Sequence, residues 1–224
     1  KSYAEMMDPF TACMAAAAVT KRLTVGTGIC LVPQHDPIVL AKTIATLDVL
    51  SEGRFILGMG GGWNVGEMNN HGVVYETRFA QLREHVLAMK ALWTEEDSEY
   101  HGEYVDFSPV WCYPKPMQKP HPPLLLGGET DHTLRRVVEY CDGWFPRPSH
   151  GFDPEKDMAR LHRIAGEAGR DPATLSVTVF RLPHEKDEIA RYEAAGIERG
   201  LLQFPGSKRD EILQSLDTFA PLLG

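Results

Sequence analysis

The chain has 224 residues, 43% of them hydrophobic, and carries a formal net charge of −8 with a pI near 5.6. This length can bury one substantial core, so we expect a single domain over residues 1–224. The acidic charge argues against a nucleic acid or an anionic membrane as a partner. The sequence also contains no apolar run of about 18 residues, the length that a membrane-spanning helix needs.

The four cysteines, at positions 13, 30, 112 and 141, are scattered and form no Cys-x-x-Cys pair. Neither a zinc ribbon nor a redox dithiol is therefore predicted, and such a set is typical of a reducing cytoplasm. The nine histidines are scattered as well, without a His-Glu-x-x-His motif or a close His/Cys cluster. We therefore expect no metal site.

Two helices are predicted to begin at the Asp-Pro pairs 8–9 and 36–37, because Asp caps a helix N-terminus and proline suits the first helical position. Between them, residues 23–31 (LTVGTGICL) are apolar and rich in β-branched residues, which predicts a strand buried on both faces. The second helix ends at the turn 51–53. A short strand at 55–60 follows and runs into four glycines, Gly58, Gly60, Gly61 and Gly62.

Farther along, the clearest helix is predicted from Arg78 to Thr94, and residues 63–122 together exceed an ordinary connection. Six prolines between 109 and 123 predict an extended segment there. Long excursions of this kind often form lids or substrate walls.

Buried strands are predicted at six places, 23–31, 55–60, 123–127, 143–146, 175–181 and 200–204, and a last helix at 208–223. A helix follows each strand, which predicts a parallel sheet. Two architectures remain open from the residues alone: a doubly wound open sheet and a (β/α)8 barrel, which needs two more strands.

Ligands bind at the C-terminal ends of the strands in either architecture. The glycines after 55–60 favour close approach of a cofactor to the backbone, although a loose loop would look the same. The run Gly127-Gly128-Glu129-Thr130 lies between a strand and a helix start. It predicts a phosphate site, or else an ordinary glycine turn with Thr130 as the helix cap.

Three bulky side chains near strand ends are weaker candidates. Trp63 and Trp144 could wall an aromatic ligand or could plug the core. His35 could reach a substrate pocket or could be structural.

Asp48 and Arg54 lie at the opposite strand end, where an ion pair or a helix C-cap is expected. The GxGxG string at 58–62 lacks the acidic residue that a nicotinamide site needs about twenty residues later.

Taken together, the segments LTVGTGICLVPQHDPIVLAKTIATLD, LDVLSEGRFILGMGGGWN, PKPMQKPHPPLLLGG, CDGWFP and GRDP resemble the luciferase-like flavin- and deazaflavin-dependent oxidoreductases, in order and spacing. The resemblance extends from about Asp8 to the end of the chain. Within that family the sequence is most similar to the branch that uses coenzyme F420, a deazaflavin.

This resemblance implies a (β/α)8 TIM barrel that binds its ring at the strand C-termini. It implies a non-proline cis peptide at Gly28–Ile29, with Gly28, Ile29 and Cys30 under the ring. It also implies ring contacts from Gly60 to Trp63 and phosphate contacts from Gly127 to Thr130. Homodimers are common in the family, so a homodimer is expected.

The family's first two strands, and the acid or histidine that ends the second, are expected before Lys1, so no catalytic acid or base is predicted within 1–224. The implied function is hydride transfer between coenzyme F420 and a small organic substrate. An FMN-dependent monooxygenase is the alternative enzyme. A non-enzymatic flavin-binding protein on a shortened barrel is the alternative of another class.

Overall fold

A computed structural model describes residues 6–204 and 208–222 of the chain. The chain divides into two compact units, residues 1–125 and residues 126–224. The expectation of a single domain stays a prediction.

The described part of the first unit alternates helices and short strands. Its helices are α1 (Pro9–Ala18), α2 (Pro37–Leu50), α3 (Val65–Asn70) and α4 (Arg78–Thr94). Its strands are β1 (Val25–Gly26), β2 (Cys30–Leu31), β3 (Phe55–Gly60), β4 (Ser98–His101) and β5 (Asp106–Val110), while β6 (Leu124–Gly127) begins in this unit and ends in the next.

Strand β3 is the centre of the first unit. It pairs in parallel with β1, placing Val25 opposite Phe55, and with β2, placing Leu31 opposite Gly60. On its other side, the Leu57 amide donates to the Pro123 carbonyl at 2.9 Å. A strand paired on both edges is buried, as its apolar sequence predicts.

The continuous strand predicted at 23–31 is wrong. Residues 27–29 separate β1 from β2, and the Gly28–Ile29 peptide is cis, which confirms the bond that the family resemblance implies. Around this interruption, the buried Thr27 hydroxyl donates to the Gly58 carbonyl at 2.6 Å. The segment therefore stays attached to β3 although regular pairing stops.

Both Asp-Pro helix starts are confirmed. The Asp8 carboxylate accepts from the Thr11 amide at 2.7 Å, and Asp36 accepts from the Val39 amide at 2.9 Å. Each bond satisfies one of the amides that a helix N-terminus leaves without a partner inside the helix.

The two charged residues around turn 51–53 stabilise the N-terminal end of β3, but not by pairing with each other. Arg54 donates to the backbone carbonyls of Ser51 and Leu23, at 2.6 and 2.8 Å. The buried Asp48 carboxylate instead accepts from the backbone and side-chain amides of Gln118, at 2.9 and 2.6 Å. Of the two structural roles expected here, the helix C-cap is the one that Arg54 fills.

Much of the predicted excursion 63–122 is regular structure. Helix α4 has the predicted bounds and packs on α2, where the buried Trp93 indole donates to the Ala41 carbonyl at 2.9 Å. Strands β4 and β5 form an antiparallel hairpin. The Glu84 carboxylate on α4 accepts three amides of its turn, those of Glu103, Tyr104 and Val105. The part of residues 63–122 that lacks regular secondary structure is therefore shorter than the sequence predicts.

The described part of the second unit continues the pattern. Its helices are α5 (Asp131–Tyr140), α6 (Pro154–Glu167), α7 (Lys186–Ala194) and α8 (Arg209–Phe219), and its further strands are β7 (Gly143–Phe145), β8 (Ser176–Phe180) and β9 (Arg199–Leu201). Strands β7, β8 and β9 pair in parallel, with Trp144 opposite Val177 and Val179 opposite Gly200. Strand β9 is shorter than the predicted 200–204, and the predicted end of the last helix at Leu223 lies outside the described residues.

Candidate functional site

The first group of predicted site residues, which we call the glycine edge, comprises Ile29 and residues 60–63. Gly60 and Gly61 are both buried. A Cβ added to Gly60 would stand 2.4 Å from the Ile29 Cδ1 atom, and one added to Gly61 would stand 2.9 Å from the Phe79 ring. These two glycines therefore make room for the Ile29 and Phe79 side chains of the protein.

The exposed surface of the glycine edge comes from its bulky members. Ile29 is 40% exposed and Trp63 is 76% exposed, while Gly62 is half-buried with a φ of +82° that favours glycine. This edge of the unit thus presents apolar surface beside backbone, which suits a planar aromatic ligand.

Cys30, predicted beside the ring, can contribute only through its backbone. Its side chain is buried, and burial, followed by the charge of Asp8, raises the pKa of the Cys30 thiol to about 12. A thiol with such a pKa is neutral at physiological pH and is not a nucleophile.

His35 lies beyond the end of β2, after a single 3₁₀ turn at Val32–Gln34. Its ring packs edge-on against Phe10, with 6.2 Å between ring centroids, yet the residue is exposed. Desolvation of part of the ring, followed by repulsion from His71, lowers the pKa of His35. The imidazole is therefore a neutral donor or acceptor that solvent molecules can reach at neutral pH.

The second group, which we call the glycine cradle, comprises residues 127–130. Thr130 caps α5, because its hydroxyl accepts from the Thr133 amide at 3.2 Å. Gly128 has a φ of +126°, and a Cβ there would stand 2.8 Å from the Thr133 hydroxyl oxygen. The cap is confirmed, and it coexists with a turn of bare backbone at a helix N-terminus. The phosphate site at this turn stays a prediction.

A charged network surrounds the cradle. The Glu129 carboxylate accepts from two nitrogens of Arg147, at 2.9 and 3.2 Å. Arg160 donates to the Glu129 carbonyl and forms ion pairs with Asp131 and Asp157, at 3.2 and 2.9 Å. Glu129 of the cradle is thus held by Arg147 through its side chain and by Arg160 through its backbone carbonyl.

The expectation that Trp144 walls a substrate pocket is wrong. Its side chain is completely buried, with the Phe152 ring edge-on at 5.2 Å. Its indole N–H donates to the Gly128 carbonyl at 2.6 Å. Trp144 therefore fixes the cradle from inside the core.

Sequence reasoning missed Phe79, Arg147 and Arg160. Arg147 had a usable signal, since it stands two residues after a strand, at the end where ligands bind. Arg160 and Phe79 lie within helices, and their positions beside the glycines depend on packing that has no local signature.

No group of three His, Cys, Asp or Glu side chains within 6–204 and 208–222 is arranged to hold a metal ion. The helices in these ranges are also too short or too polar to cross a membrane.

Comparison with known proteins identifies the family. The sequence profile of the luciferase-like monooxygenases matches residues 1–215. The uncharacterized protein Rv0953c of Mycobacterium tuberculosis is 39% identical over 224 residues, covering 99% of this chain and 78% of that protein.

Two relatives of named activity use different cofactors. The FMNH(2)-dependent dimethylsulfone monooxygenase of Pseudomonas putida is 27% identical, over 82% of this chain and 51% of the enzyme. The F420-dependent glucose-6-phosphate dehydrogenase of Amycolatopsis mediterranei is 35% identical over 119 residues, which is 51% of this chain and 35% of the enzyme.

Two solved structures share the fold. Monooxygenase RslO1 from Streptomyces bottropensis has a TM-score of 0.80 at 23% identity, over 96% of this chain and 82% of its own. An F420-dependent secondary alcohol dehydrogenase in complex with an F420-acetone adduct has a TM-score of 0.79 at 18% identity, over 97% and 84%. The barrel alternative is thereby confirmed over the open sheet. On these matches, the chain belongs to the luciferase-like monooxygenase family, with the α/β architecture of its TIM barrels.

Proposed function

We propose that the protein is an oxidoreductase that transfers a hydride between coenzyme F420 and a small organic substrate. The observation that carries this proposal is the glycine edge, where exposed Ile29 and Trp63 side chains border buried glycines. An apolar edge of this kind suits a planar ring. The F420-dependent relative, at 35% identity over half of the chain, supports the choice of the deazaflavin.

The two groups of residues fit different parts of such a cofactor. We propose that Gly28, Ile29, Cys30 and residues 60–63 contact the ring, with Cys30 acting through its backbone. The cradle lies at the N-terminus of α5, where backbone amides and the helix dipole favour an anion such as a phosphate. We propose that Gly127, Gly128, Glu129 and Thr130 hold that phosphate.

When bound, the deazaflavin supplies or accepts the hydride. The residues of this chain orient the ring, hold the phosphate and exclude water around the ring. Exposed His35 and Trp63 are proposed to contact the substrate. A cytoplasmic location, consistent with four free cysteines among the described residues, and assembly as a homodimer belong to the same proposal.

An FMN-dependent monooxygenase is the second candidate, favoured by the FMNH(2)-dependent relative over 82% of the chain. The experiment that separates the candidates starts with the absorption spectrum and the mass of the small molecule that the purified protein binds. Bound F420 with substrate-dependent reduction and no oxygen uptake is the expected result. Bound FMN with oxygen uptake would establish the second candidate, and a bound flavin without either reaction would identify a non-enzymatic binder.

A further inference from the structure

Arg181 has a backbone conformation that arginine rarely adopts. Its φ is +63°, in the left-handed region where a Cβ crowds the backbone. Among the described residues, seven glycines have a positive φ, and the only other residues that do are Glu52 and Arg181. An arginine in this region makes the native state less stable than a glycine would. The side chain at this position therefore needs an explanation.

Glu52 shares the conformation but has an ordinary reason for it. It lies two residues after the end of α2, where a left-handed residue lets the chain leave a helix. The amide of the next residue, Gly53, donates to the Asp48 carbonyl at 2.8 Å and closes that turn. Arg181 follows a strand, since β8 ends at the residue before it, and helix termination does not explain its backbone.

The residue after Arg181 holds the left-handed conformation in place. The Leu182 amide donates to the Leu201 carbonyl at the end of β9, at 2.9 Å. The Leu182 side chain is buried, and it lies so close to Gly200 that a Cβ there would stand 2.2 Å from the Leu182 Cδ2 atom. The neighbouring strand therefore determines the backbone at Arg181, and the strain persists in the folded protein.

The Arg181 guanidinium has no ionic partner within residues 6–204 and 208–222. The side chain is exposed, and its guanidinium carbon lies 5.3 Å from the centroid of the Phe180 ring. Arg147, the arginine that follows the neighbouring strand β7, is different because it donates to the Glu129 carboxylate. The described residues thus give the Arg181 guanidinium a ring contact and no anion.

The position of Arg181 is one where barrels of this family's type bind ligands, the C-terminal end of a parallel strand. In the sheet, β8 is two strands away from β6, in the order β6, β7, β8. Neighbouring strands are about 4.8 Å apart, so the end of β8 lies roughly 10 Å from the end of β6, which leads into the glycine cradle. A group bound at Arg181 is therefore a different group from one bound at the cradle.

We propose that Arg181 is a substrate-binding residue that takes a carboxylate or phosphate group, so that the substrate is a small organic anion. A guanidinium presents paired N–H donors that match the oxygens of either group. The proposal rests on the proposed function, because it names the class of the substrate. It also explains the strained backbone, which holds the guanidinium at the strand end at the expense of stability.

NMR titration of the isotope-labelled protein without cofactor tests the site directly. The probes are acetate, inorganic phosphate and, as a neutral match for acetate, acetamide, all at constant ionic strength. The Nε–H signal of Arg181 should shift and saturate with both anions and should not respond to acetamide. Arg135, an exposed arginine of α5 in the same unit, gives the level of non-specific binding. Its signal should need about tenfold more anion for the same shift.

Three variants separate binding from strain. Arg181→Gly should weaken acetate about tenfold, followed at the Leu182 amide signal, because the guanidinium is lost. The same variant should raise the denaturant midpoint of unfolding, because glycine adopts a positive φ without strain. Arg181→Lys keeps the charge and the strain, so it should bind acetate about threefold more weakly than the wild type and unfold at the wild-type midpoint. Arg135→Gln should leave the affinity for acetate unchanged.

Equal responses of Arg135 and Arg181, a response to acetamide, or wild-type acetate affinity in Arg181→Gly would each overturn the anion site. A lower unfolding midpoint in Arg181→Gly would show that the arginine serves the fold, and would overturn the proposal as well.

A titration with F420 identifies the source of the anion. The affinity for F420 should be the same in the wild type and in Arg181→Gly. A loss that matches the loss for acetate would assign the anion to the cofactor and overturn the assignment to the substrate. If F420 does not bind the wild type, the proposed function fails, and the titrations with acetate and phosphate still decide the anion site because they contain no cofactor.

Discussion

The glycine edge and the glycine cradle begin from the same sequence pattern, a buried strand that runs into glycines, and end with different chemistry. At the edge, the space left by absent side chains is filled by Ile29 and Phe79, and the exposed surface is apolar. At the cradle, the nearest atom is a threonine hydroxyl, and arginines and carboxylates surround the turn. Glycines after a strand therefore indicate a place where other atoms approach the backbone closely. The side chains that face these glycines decide which part of a ligand the place suits.

The largest effect is expected from Gly128→Ala. A φ of +126° is unfavourable for alanine, and the new Cβ would meet the Thr133 hydroxyl oxygen at 2.8 Å. The strained backbone and the overpacking together should lower the free energy of unfolding by about 3 kcal/mol, measured by denaturant titration. Gly151→Ala is the control, because its φ is +82° with no atom within 4 Å, and about 1 kcal/mol is expected. Equal losses would mean that contact with Thr133 does not constrain the cradle.

Two buried tryptophans give the next comparison. Trp144 donates to the Gly128 carbonyl and Trp93 to the Ala41 carbonyl, and both are almost completely buried. Trp144→Phe and Trp93→Phe should each lower the free energy of unfolding by about 2 kcal/mol, because each leaves a buried carbonyl without its donor. Only Trp144→Phe should weaken F420 relative to the phosphate-free deazaflavin. A similar effect of Trp93→Phe on that ratio would argue against a specific role for Trp144 at the cradle.

Gly60→Ala should cost less than Gly128→Ala. The obstructing atom is the tip of the Ile29 side chain, which can rotate away, so a loss of about 1 kcal/mol in unfolding free energy is expected. Ile29→Val removes that Cδ1 atom. In a double-mutant cycle, the loss from Gly60→Ala should therefore largely disappear in the Ile29→Val background. Strictly additive losses would show that Ile29 does not occupy this space.

Trp63→Leu should have the smallest effect on stability, within about 0.5 kcal/mol, because the side chain is exposed. If it covers the ring, its loss should weaken riboflavin and the phosphate-free deazaflavin about three- to tenfold in a fluorescence titration. Trp111→Leu is the matched control, since Trp111 is 77% exposed in the same unit. Unchanged ring affinities in Trp63→Leu would remove Trp63 from the proposed ring contacts.

The sequence predicted the regular elements well where periodicity is strong. The bounds of α4 and β3, both Asp caps and the Thr130 cap agree with it, because each depends on residues a few positions apart. The interruption between β1 and β2 could not be derived in this way. Its cis peptide followed only from the family resemblance.

The site was less predictable because its members are brought together by packing. Trp63 and Trp144 are the same residue type at similar strand ends, yet one is exposed and the other is buried against Phe152. The Glu129–Arg147 pair joins residues 18 positions apart, and no local pattern distinguishes this pair from a solvated one.

The most direct test of the account is an equilibrium titration of the wild type, Trp63→Leu and Trp144→Phe with F420 and with its phosphate-free deazaflavin. Trp63→Leu is predicted to weaken both ligands by the same factor, because only the ring contact is lost. Trp144→Phe is predicted to weaken F420 and to leave the phosphate-free ligand unchanged, because the lost indole N–H holds the Gly128 carbonyl of the cradle. A Trp63→Leu effect confined to F420, or a Trp144→Phe effect of equal size on both ligands, would contradict the assignment of ring and phosphate to these two groups of residues.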